Sequence, residues 1–365
     1  MEYKVPLYIP SLTGNEKKYI DECLDSTWIS SKGKFIKEFE DKFCEYTGIK
    51  HASAVCNGTA ALHLALKALG LKSGDEVIVP TFTYIASVST IIHTGAEPVF
   101  ADSVRETWQI DPEDIKRKIT QKSRAIIPVH LYGHPCEMDK IMKIADAHKL
   151  FVIEDCAEAF GTRYKGYSAG SFGDVSAFSF YGNKTITTGE GGMLATNNSS
   201  LYKKVNRLKS HCVSGETEYW HDEFGFNYRM TNLSAAIGLA QIEHADKIIG
   251  KKRRIAELYS AMLAGLPVEH HGEYGNSVHS YWMYSILTRN KETRTALRNF
   301  LYEQGIETRP TFYPVHTFPM FSDKNFKFRV AEDLSLRGIN LPSWPDLEQE
   351  DIVYVCDAIK KFFKG

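Results

Sequence analysis

The run SFYGNKTITTGEGG occupies residues 179–192 and carries Lys184 near its centre. A β-type run, residues 177–180, leads into it, and the glycine-rich loop that follows cannot be helical. Burial disfavours the charged form of a lysine and lowers its pKa, and such a lysine is a nucleophile towards an aldehyde. An exposed lysine at a strand end fits this segment equally well, so the choice depends on the rest of the chain.

Composition restricts the class of protein. The chain has 365 residues, of which 43% are hydrophobic and 24% charged, and a net charge of -1 favours neither nucleic acid nor an anionic membrane as a partner. Seven cysteines without a CxxC pair are typical of reduced thiols, not of disulfides or a zinc site. The N-terminus has no signal-peptide pattern and no apolar run is long enough to span a bilayer, so we expect a cytoplasmic protein.

Strand and helix candidates alternate along the first half of the chain. The strand candidates are 52–56, 76–79, 98–101, 124–130 and 150–156, and each of the first four precedes a helix candidate. This alternation predicts an α/β fold with a mostly parallel sheet covered on both faces. Shorter elements near the C-terminus predict a smaller α+β domain. We therefore expect a large domain over residues 12–248 and a small one over 249–365, with residues 1–11 associated with the small one.

Two further patterns lie near the expected domain boundary. Apolar residues at helical spacing predict a long amphipathic helix over 231–245, capped by Thr231 or Asn232. The basic stretch 251–254 follows, and the balanced total charge favours a solvated helix face there over a binding site.

Three polar features fall at predicted strand ends, where open α/β sheets bind ligands. Asn57-Gly58-Thr59 joins a strand to a helix start that suits a phosphate, although a plain N-cap explains it equally well. Asp155 ends a buried strand, and Ser179 lies five residues before Lys184. Phosphate donors, an acid for a ring nitrogen and a lysine for an aldehyde are the needs of pyridoxal phosphate. Metal, nicotinamide and P-loop sites are disfavoured, because the motifs with the residue spacing typical of such sites do not occur in the expected places in this sequence.

These motifs, in this order, resemble the DegT/DnrJ/EryC1/StrS family of nucleotide-sugar aminotransferases, which share the aspartate-aminotransferase fold (fold type I). The resemblance extends from residues 28–33 to residues 313–316, and it implies a large domain built on a seven-stranded sheet. Its motifs are NGT at 57–59, EDCAE at 154–158, SFYGNK at 179–184 and GEGG at 189–192. The stretches 23–31, 130–135 and 219–222 resemble the branch that makes GDP-perosamine for bacterial O-antigen and lipopolysaccharide.

The resemblance implies a role for each matching residue around the cofactor. Lys184 attaches the cofactor and shuttles a proton, and Asp155 keeps the ring nitrogen protonated. The remaining cofactor positions are Gly58, Thr59 and Ser179 at the phosphate, Tyr84 stacked on the ring, Glu158 near the ring hydroxyl, and Asn227 at the phosphate of a neighbouring subunit. The family often has Gln or His where this chain has Glu158. A core tyrosine remains the alternative for Tyr84.

The resemblance also implies substrate contacts and a homodimer with shared active sites. Arg229 is the candidate for the nucleotide diphosphate, with a structural ion pair as the alternative. The resemblance places Trp28, Ser30, Tyr313 and His316 in the substrate-side loops.

The implied reaction moves an amino group from L-glutamate to GDP-4-keto-6-deoxymannose, giving GDP-perosamine and 2-oxoglutarate. Because Lys184 is present where a dehydrating branch of the family has histidine, transamination is favoured over dehydration. A UDP- or dTDP-linked keto sugar is the alternative substrate, and a cofactor-binding regulator on the same fold is the non-enzymatic alternative.

Overall fold

The computed structural model describes residues 3–12, 14–321 and 326–364. Its helices are α1 (Glu16–Asp25), α2 (Lys34–Thr47), α3 (Gly58–Leu69), α4 (Ala86–His93), α5 (Pro112–Lys118), α6 (Met138–His148), α7 (Ser199–Leu208), α8 (Asn232–Glu243), α9 (Ala245–Met262), α10 (Lys291–Glu303), α11 (Arg329–Arg337) and α12 (Gln349–Lys364). Its strands are β1 (His51–Val55), β2 (Glu76–Pro80), β3 (Glu97–Ala101), β4 (Ser123–Ile126), β5 (Phe151–Asp155), β6 (Arg163–Tyr164), β7 (Tyr167–Ser168), β8 (Val175–Ser179), β9 (Gly192–Thr196), β10 (Glu269–His270), β11 (Ser277–Val278), β12 (Tyr284–Leu287), β13 (Arg309–Pro310) and β14 (Gly338–Leu341).

Within the described residues, the central sheet has seven strands in the order β1-β9-β8-β5-β4-β2-β3. The strands are parallel except β9, which pairs antiparallel with both β1 and β8. Residues on both faces are buried, because helices cover the sheet on each side. The α/β fold class and the mostly parallel seven-stranded sheet predicted from the sequence are therefore confirmed.

Local sequence signals explain where the helices around the sheet begin. Asn57 caps α3 by accepting the Ala60 N–H, and Asp111 caps α5, with Pro112 at the first helical position. Thr231 caps α8 by accepting the Ser234 N–H, as predicted. The Asn57 cap places the start of α3 just after the end of β1, so the polar groups of this turn lie at an edge of the sheet.

A second sheet, β10-β12-β14-β13, is built from the C-terminal third of the chain. Its core includes residues of α9, α10 and α12 and also Val5, which forms a bridge with Ile306. Helix α9 runs across residue 248, where the sequence suggested a boundary. The division into two domains stays a prediction.

The structure contradicts both interpretations made from the sequence near residue 248. Helix α8 is not amphipathic, because it packs against both α1 and α2 and buries residues all round its surface. The basic stretch is not a solvated face throughout, because Lys252 is only 1% exposed. The Lys252 ammonium donates to the carbonyl of Ser343. The total charge of the chain does not indicate which of the four adjacent cations is buried.

One predicted strand is shorter than expected. Strand β4 ends at Ile126 and not near residue 130, since Pro128 has no N–H for the ladder. The chain continues beside β5, where the Pro128 carbonyl accepts the Asp155 N–H.

No helix among the residues that the structure describes is both long enough and apolar enough to cross a membrane.

Candidate active site

Lys184 lies in the connection between the antiparallel strands β8 and β9, at the edge where β5 also ends. The loop is held from two sides. The Lys184 carbonyl accepts from the Tyr8 hydroxyl at 2.6 Å, and the Asn183 carbonyl accepts from the Trp282 indole at 2.7 Å. The Lys184 side chain is 15% exposed, and burial lowers its pKa while Glu158 and Asp155 oppose that shift. The alternative interpretation of Lys184, an exposed lysine at a strand end, is therefore wrong.

Strand alternation gives two adjacent carboxylates different environments at the end of β5. Glu154 faces away from the lysine and accepts from the backbone N–H groups of Gly170, Phe172 and Gly173. Asp155 faces the cavity, where it accepts from the Ser87 hydroxyl at 2.7 Å and from the Ala157 N–H at 3.0 Å. Burial raises the pKa of Asp155, and these two donors oppose the rise by favouring the carboxylate.

The turn at the start of α3 forms a cradle of backbone amides. Because Asn57 accepts from the amides of Ala60 and Ala61, the amides of Gly58 and Thr59 remain at the open end of the helix. Ser179 lies against this turn, since a Cβ on Gly58 would come within 2.8 Å of the Ser179 Cβ. A Cβ on Gly192 would lie 2.5 Å from the Asn57 carbonyl carbon. Two of the motif glycines are therefore required by close packing.

A cavity of about 400 Å³ joins these groups. It is lined by Asn57, Gly58, Thr59, Leu62, Thr83, Tyr84, Ala86, Ser87, Val129, Asp155, Ala157, Glu158, Ser179, Tyr181, Asn183, Lys184, Glu190, Trp282 and Phe312. Tyr84 is 59% exposed, which rules out the core-tyrosine alternative. Ser87, Trp282 and Phe312 also line the cavity and could not be predicted, because nothing in the local pattern connects these positions to a strand end.

Glu158 is the second carboxylate in the cavity and is 5% exposed. Its Oε1 lies 3.8 Å from the Lys184 Nζ, and its Oε2 accepts the Tyr132 N–H at 2.8 Å. Burial raises the pKa of Glu158 to about 7. On the opposite side, the Lys184 Nζ lies 4.0 Å from the centre of the Trp282 ring.

Six of the predicted site residues do not line this cavity, and four of them lie together around Arg229 and Asn232. Asn227 is exposed and accepts from Arg229 at 2.8 Å, and Arg229 also donates to the Ser31 hydroxyl at 3.1 Å. These contacts are hydrogen bonds, not the ion pair considered as the alternative for Arg229. Trp28 is 55% exposed, and the carbonyls of Trp28 and Ser30 accept from Asn232.

The two remaining substrate-side candidates differ from each other. Tyr313 is 52% exposed, next to the cavity residue Phe312. His316 is buried, with Nδ1 bonded to the Thr81 hydroxyl at 2.7 Å and Nε2 3.3 Å from Glu332. Both nitrogens of His316 are therefore occupied within the chain, and the geometry gives it no free group for a substrate.

Behind Asp155, the structure brings His130, Glu154 and Cys156 within 4.8 Å of one another. Among the described residues, these three side chains are close enough together to hold a metal ion. Its atoms are already engaged: His130 Nε2 contacts Glu154 at 3.0 Å, and its Nδ1 accepts the Cys136 N–H at 3.0 Å. The cluster supports the strand that carries Asp155.

The residues around the cavity fit pyridoxal phosphate. A lysine amine, a buried carboxylate and a helix start with a serine provide one partner for the aldehyde, one for the ring nitrogen and several for the phosphate. The cavity volume lies within the range of cofactor sites. In addition, Asn183 is one of the lining residues, and its Oδ1 is buried without a partner in the described part of the chain. A buried acceptor of this kind is expected to meet a ligand.

Comparisons with known proteins agree with this geometry. The model of the DegT/DnrJ/EryC1/StrS aminotransferase family matches residues 10–360. The chain is 58% identical to the GDP-perosamine synthase of Escherichia coli O157:H7, over 100% of this chain and 99% of that protein. It is 52% identical to the GDP-perosamine synthase of Vibrio cholerae, over 98% and 99% of the two chains.

Solved structures have the same fold along nearly the whole chain. DesV from S. venezuelae is 34% identical, with a TM-score of 0.91 over 96% of this chain and 95% of that one. Spr1654 from Streptococcus pneumoniae, whose structure is known in a PLP form, is 28% identical, with a TM-score of 0.94 over 99% of each chain. The chain therefore belongs to the DegT/DnrJ/EryC1/StrS family and is a pyridoxal-phosphate-dependent sugar aminotransferase.

Proposed function

We propose that this enzyme transfers the amino group of L-glutamate to GDP-4-keto-6-deoxymannose, producing GDP-perosamine and 2-oxoglutarate. The observation that carries the substrate assignment is the 58% identity, along the whole chain, to a GDP-perosamine synthase. The cavity supports the chemistry, because its lysine, carboxylates and amide cradle lie together at one sheet edge. The pathway context is O-antigen and lipopolysaccharide sugar synthesis.

The predicted site residues that line the cavity each have a task in this proposal. Pyridoxal phosphate supplies an aldehyde that takes up the amino group and a ring that draws electrons from the substrate carbon. Lys184 would hold the cofactor through its amine and, as a free amine, would carry a proton. Asp155, held by Ser87 and Ala157, keeps a positive charge on the ring nitrogen. Gly58, Thr59 and Ser179 would bind its phosphate, and Tyr84 and Glu158 would lie beside its ring.

The test is a spectral and product assay with purified, cofactor-loaded enzyme. L-glutamate is expected to change the cofactor absorbance, and GDP-4-keto-6-deoxymannose to restore it with formation of GDP-perosamine, detected by mass spectrometry. Restoration by UDP- or dTDP-linked keto sugars alone would replace the GDP assignment. Absence of any glutamate-driven change would contradict amine transfer.

We also propose that the enzyme is a cytoplasmic homodimer whose subunits complete each other's sites. Asn227 and Arg229 lie outside the Lys184 cavity of their own chain, and the nearby side chains of Tyr219 and Phe224 are 95% and 98% exposed. Seven free cysteines support the location.

Mixed dimers test the sharing of sites. After refolding of Lys184→Ala together with Asn227→Ala, a shared site predicts hybrid dimers with one undamaged site and recovered activity. A mixture no more active than its two components would contradict the sharing, and a monomer in analytical ultracentrifugation would contradict the dimer.

A further inference from the structure

Glu158 is a carboxylate whose surroundings differ from those of Asp155 in the same cavity. Asp155 receives two donors, a hydroxyl and a backbone N–H, which together stabilise its charged form. Glu158 accepts one hydrogen bond, from the Tyr132 N–H to its Oε2 at 2.8 Å. Its other oxygen, Oε1, is the one near Lys184, at 3.8 Å from Nζ. One oxygen is thus tethered and the other is left to interact with the lysine.

The tether depends on an unusual backbone conformation. Tyr132 has a φ of 57°, in the left-handed region that disfavours a residue with a Cβ. Its side chain is fully buried, and its hydroxyl accepts the Phe312 N–H at 2.9 Å. Strain of this kind persists where the surrounding structure fixes it, and it is common at functional sites.

The same tyrosine also supports the other wall around the lysine. Its ring stacks on Trp282 with a 13° angle between the planes, and the Lys184 Nζ lies 4.0 Å above the Trp282 ring. An ammonium group is attracted both to a carboxylate and to an indole face. Tyr132 therefore positions two groups that hold the free Lys184 side chain between them.

We propose that Glu158 is the proton partner of Lys184, storing as a neutral carboxylic acid the proton that the lysine gives up when its amine acts as a nucleophile or base. An N–H bond of the ammonium breaks, its electron pair stays on nitrogen, and an O–H bond forms at Oε1; the reverse step restores both charges. Because 3.8 Å is an ion-pair distance, the transfer needs a small rotation of the flexible lysine side chain. This assignment rests on the proposed role of Lys184.

The electrostatics of the pair make this exchange easy near neutral pH. Burial raises the pKa of Glu158 to about 7 and lowers the pKa of Lys184. The charged and the neutral pair are therefore closer in free energy than they would be in water. Asp155, with its two donors, remains the carboxylate for the ring nitrogen.

The test compares Glu158→Gln with Glu190→Gln, which removes a carboxylate from the rim of the same cavity. In full-length protein stripped of cofactor, trace acetylation with acetic anhydride, read by mass spectrometry, gives the pH at which Lys184 is half deprotonated. We expect this midpoint to fall by about one pH unit or more in Glu158→Gln, because the opposite charge is lost. Glu190→Gln is expected to keep it. Equal midpoints in the wild type and Glu158→Gln would overturn the proposal.

A second measurement detects the stored proton directly. Infrared spectra at neutral pH are expected to contain the band of a protonated carboxylic acid in the wild type and in Glu190→Gln, and to lose it in Glu158→Gln. An unchanged band would count against the assignment. If Glu158→Gln does not fold, Glu158→Asp, whose shorter side chain withdraws from the lysine, is expected to shift the Lys184 midpoint part of the way.

Neither measurement needs a substrate, so a wrong sugar assignment would leave both results standing. In the loaded enzyme, Glu158→Gln is expected to lower kcat of the glutamate half-reaction more than it changes KM. Failure of the wild type to react with glutamate would instead contradict the proposed function.

Discussion

Lys184 and Lys252 are both largely shielded from solvent, and they differ in what surrounds them. Lys184 lies in a cavity between two carboxylates and an indole ring. Lys252, on α9, is 1% exposed and donates to the Ser343 carbonyl, with the Tyr8 ring 5.2 Å from its nitrogen. Burial alone lowers the pKa of Lys252 to about 7.

The comparison shows that a lowered pKa does not by itself make a lysine reactive. Both amines lose a proton more easily than a lysine in water, because the interior disfavours the charge. A reaction also needs space for the other reactant and a group that takes the proton. Lys184 has a cavity of about 400 Å³ and Glu158, whereas Lys252 has neither among the described residues.

The largest effect is expected for Lys184→Ala, compared with Lys252→Met. Loss of Lys184 removes both the attachment point and the proton carrier, so amine transfer is expected to fall by about a thousandfold or more. Lys252→Met replaces a buried cation by an apolar side chain of similar length, and activity is expected to stay within about threefold of the wild type. Steady-state rates of the two purified variants, matched for secondary structure by circular dichroism, provide the measurement. Comparable losses in both variants would remove the distinction between the two lysines.

A smaller loss is expected for Asp155→Asn. The amide keeps the shape of the carboxylate but not its charge, so the charge on the ring nitrogen is no longer stabilised, and the glutamate half-reaction is expected to slow about a hundredfold or more. Ser87→Ala removes one hydrogen bond to Asp155 and is expected to cost only about tenfold. Stopped-flow absorbance measures both rates. If Asp155→Asn were as fast as Ser87→Ala, the carboxylate would have no electrostatic role.

Gly192→Ala, compared with Gly182→Ala, tests the phosphate cradle. A Cβ at residue 192 would lie 2.5 Å from the Asn57 carbonyl carbon, whereas a Cβ at residue 182 meets open space. The first change is expected to displace the turn and weaken cofactor binding about tenfold to a hundredfold, and the second to leave binding nearly unchanged. The Kd for pyridoxal phosphate of the stripped proteins is measured by absorbance titration. Equal affinities would contradict the close packing of β9 under the turn.

The smallest effect concerns stability and Lys252. Its folded pKa is about 7 against 10.5 in a free lysine, so between these pH values the unfolded chain binds a proton that the folded chain has lost. The free energy of unfolding therefore rises with pH in this window, with a slope of at most about 1.4 kcal/mol per pH unit from this group. Urea unfolding of the wild type and Lys252→Met across the window isolates the contribution. A constant difference between the two proteins would show that Lys252 keeps its charge.

Much of the site could be predicted because its groups lie next to elements with clear local signals. Asp155 ends an apolar strand, and Asn57 precedes a helical pattern, so the sequence was sufficient to place both at a sheet edge. Trp282 and Phe312 could not be placed, since they reach the cavity from the C-terminal third of the chain. Likewise, the sequence showed four adjacent cations at 251–254 but not that one of them, Lys252, turns inward.

Patterns along the chain were enough to predict the α/β fold class, the pyridoxal phosphate cofactor and Lys184 as its attachment point, because strand periodicity, helix caps and the order of the motifs can be read from the sequence. The tertiary structure decided which carboxylates face the lysine and which side chains close the cavity. Glu154 and Asp155 are adjacent in sequence and face opposite sides of β5, while Lys184 and Trp282 are 98 residues apart and in contact. Burial and distance between remote segments set the charges of this site, and neither can be read from the order of residues alone.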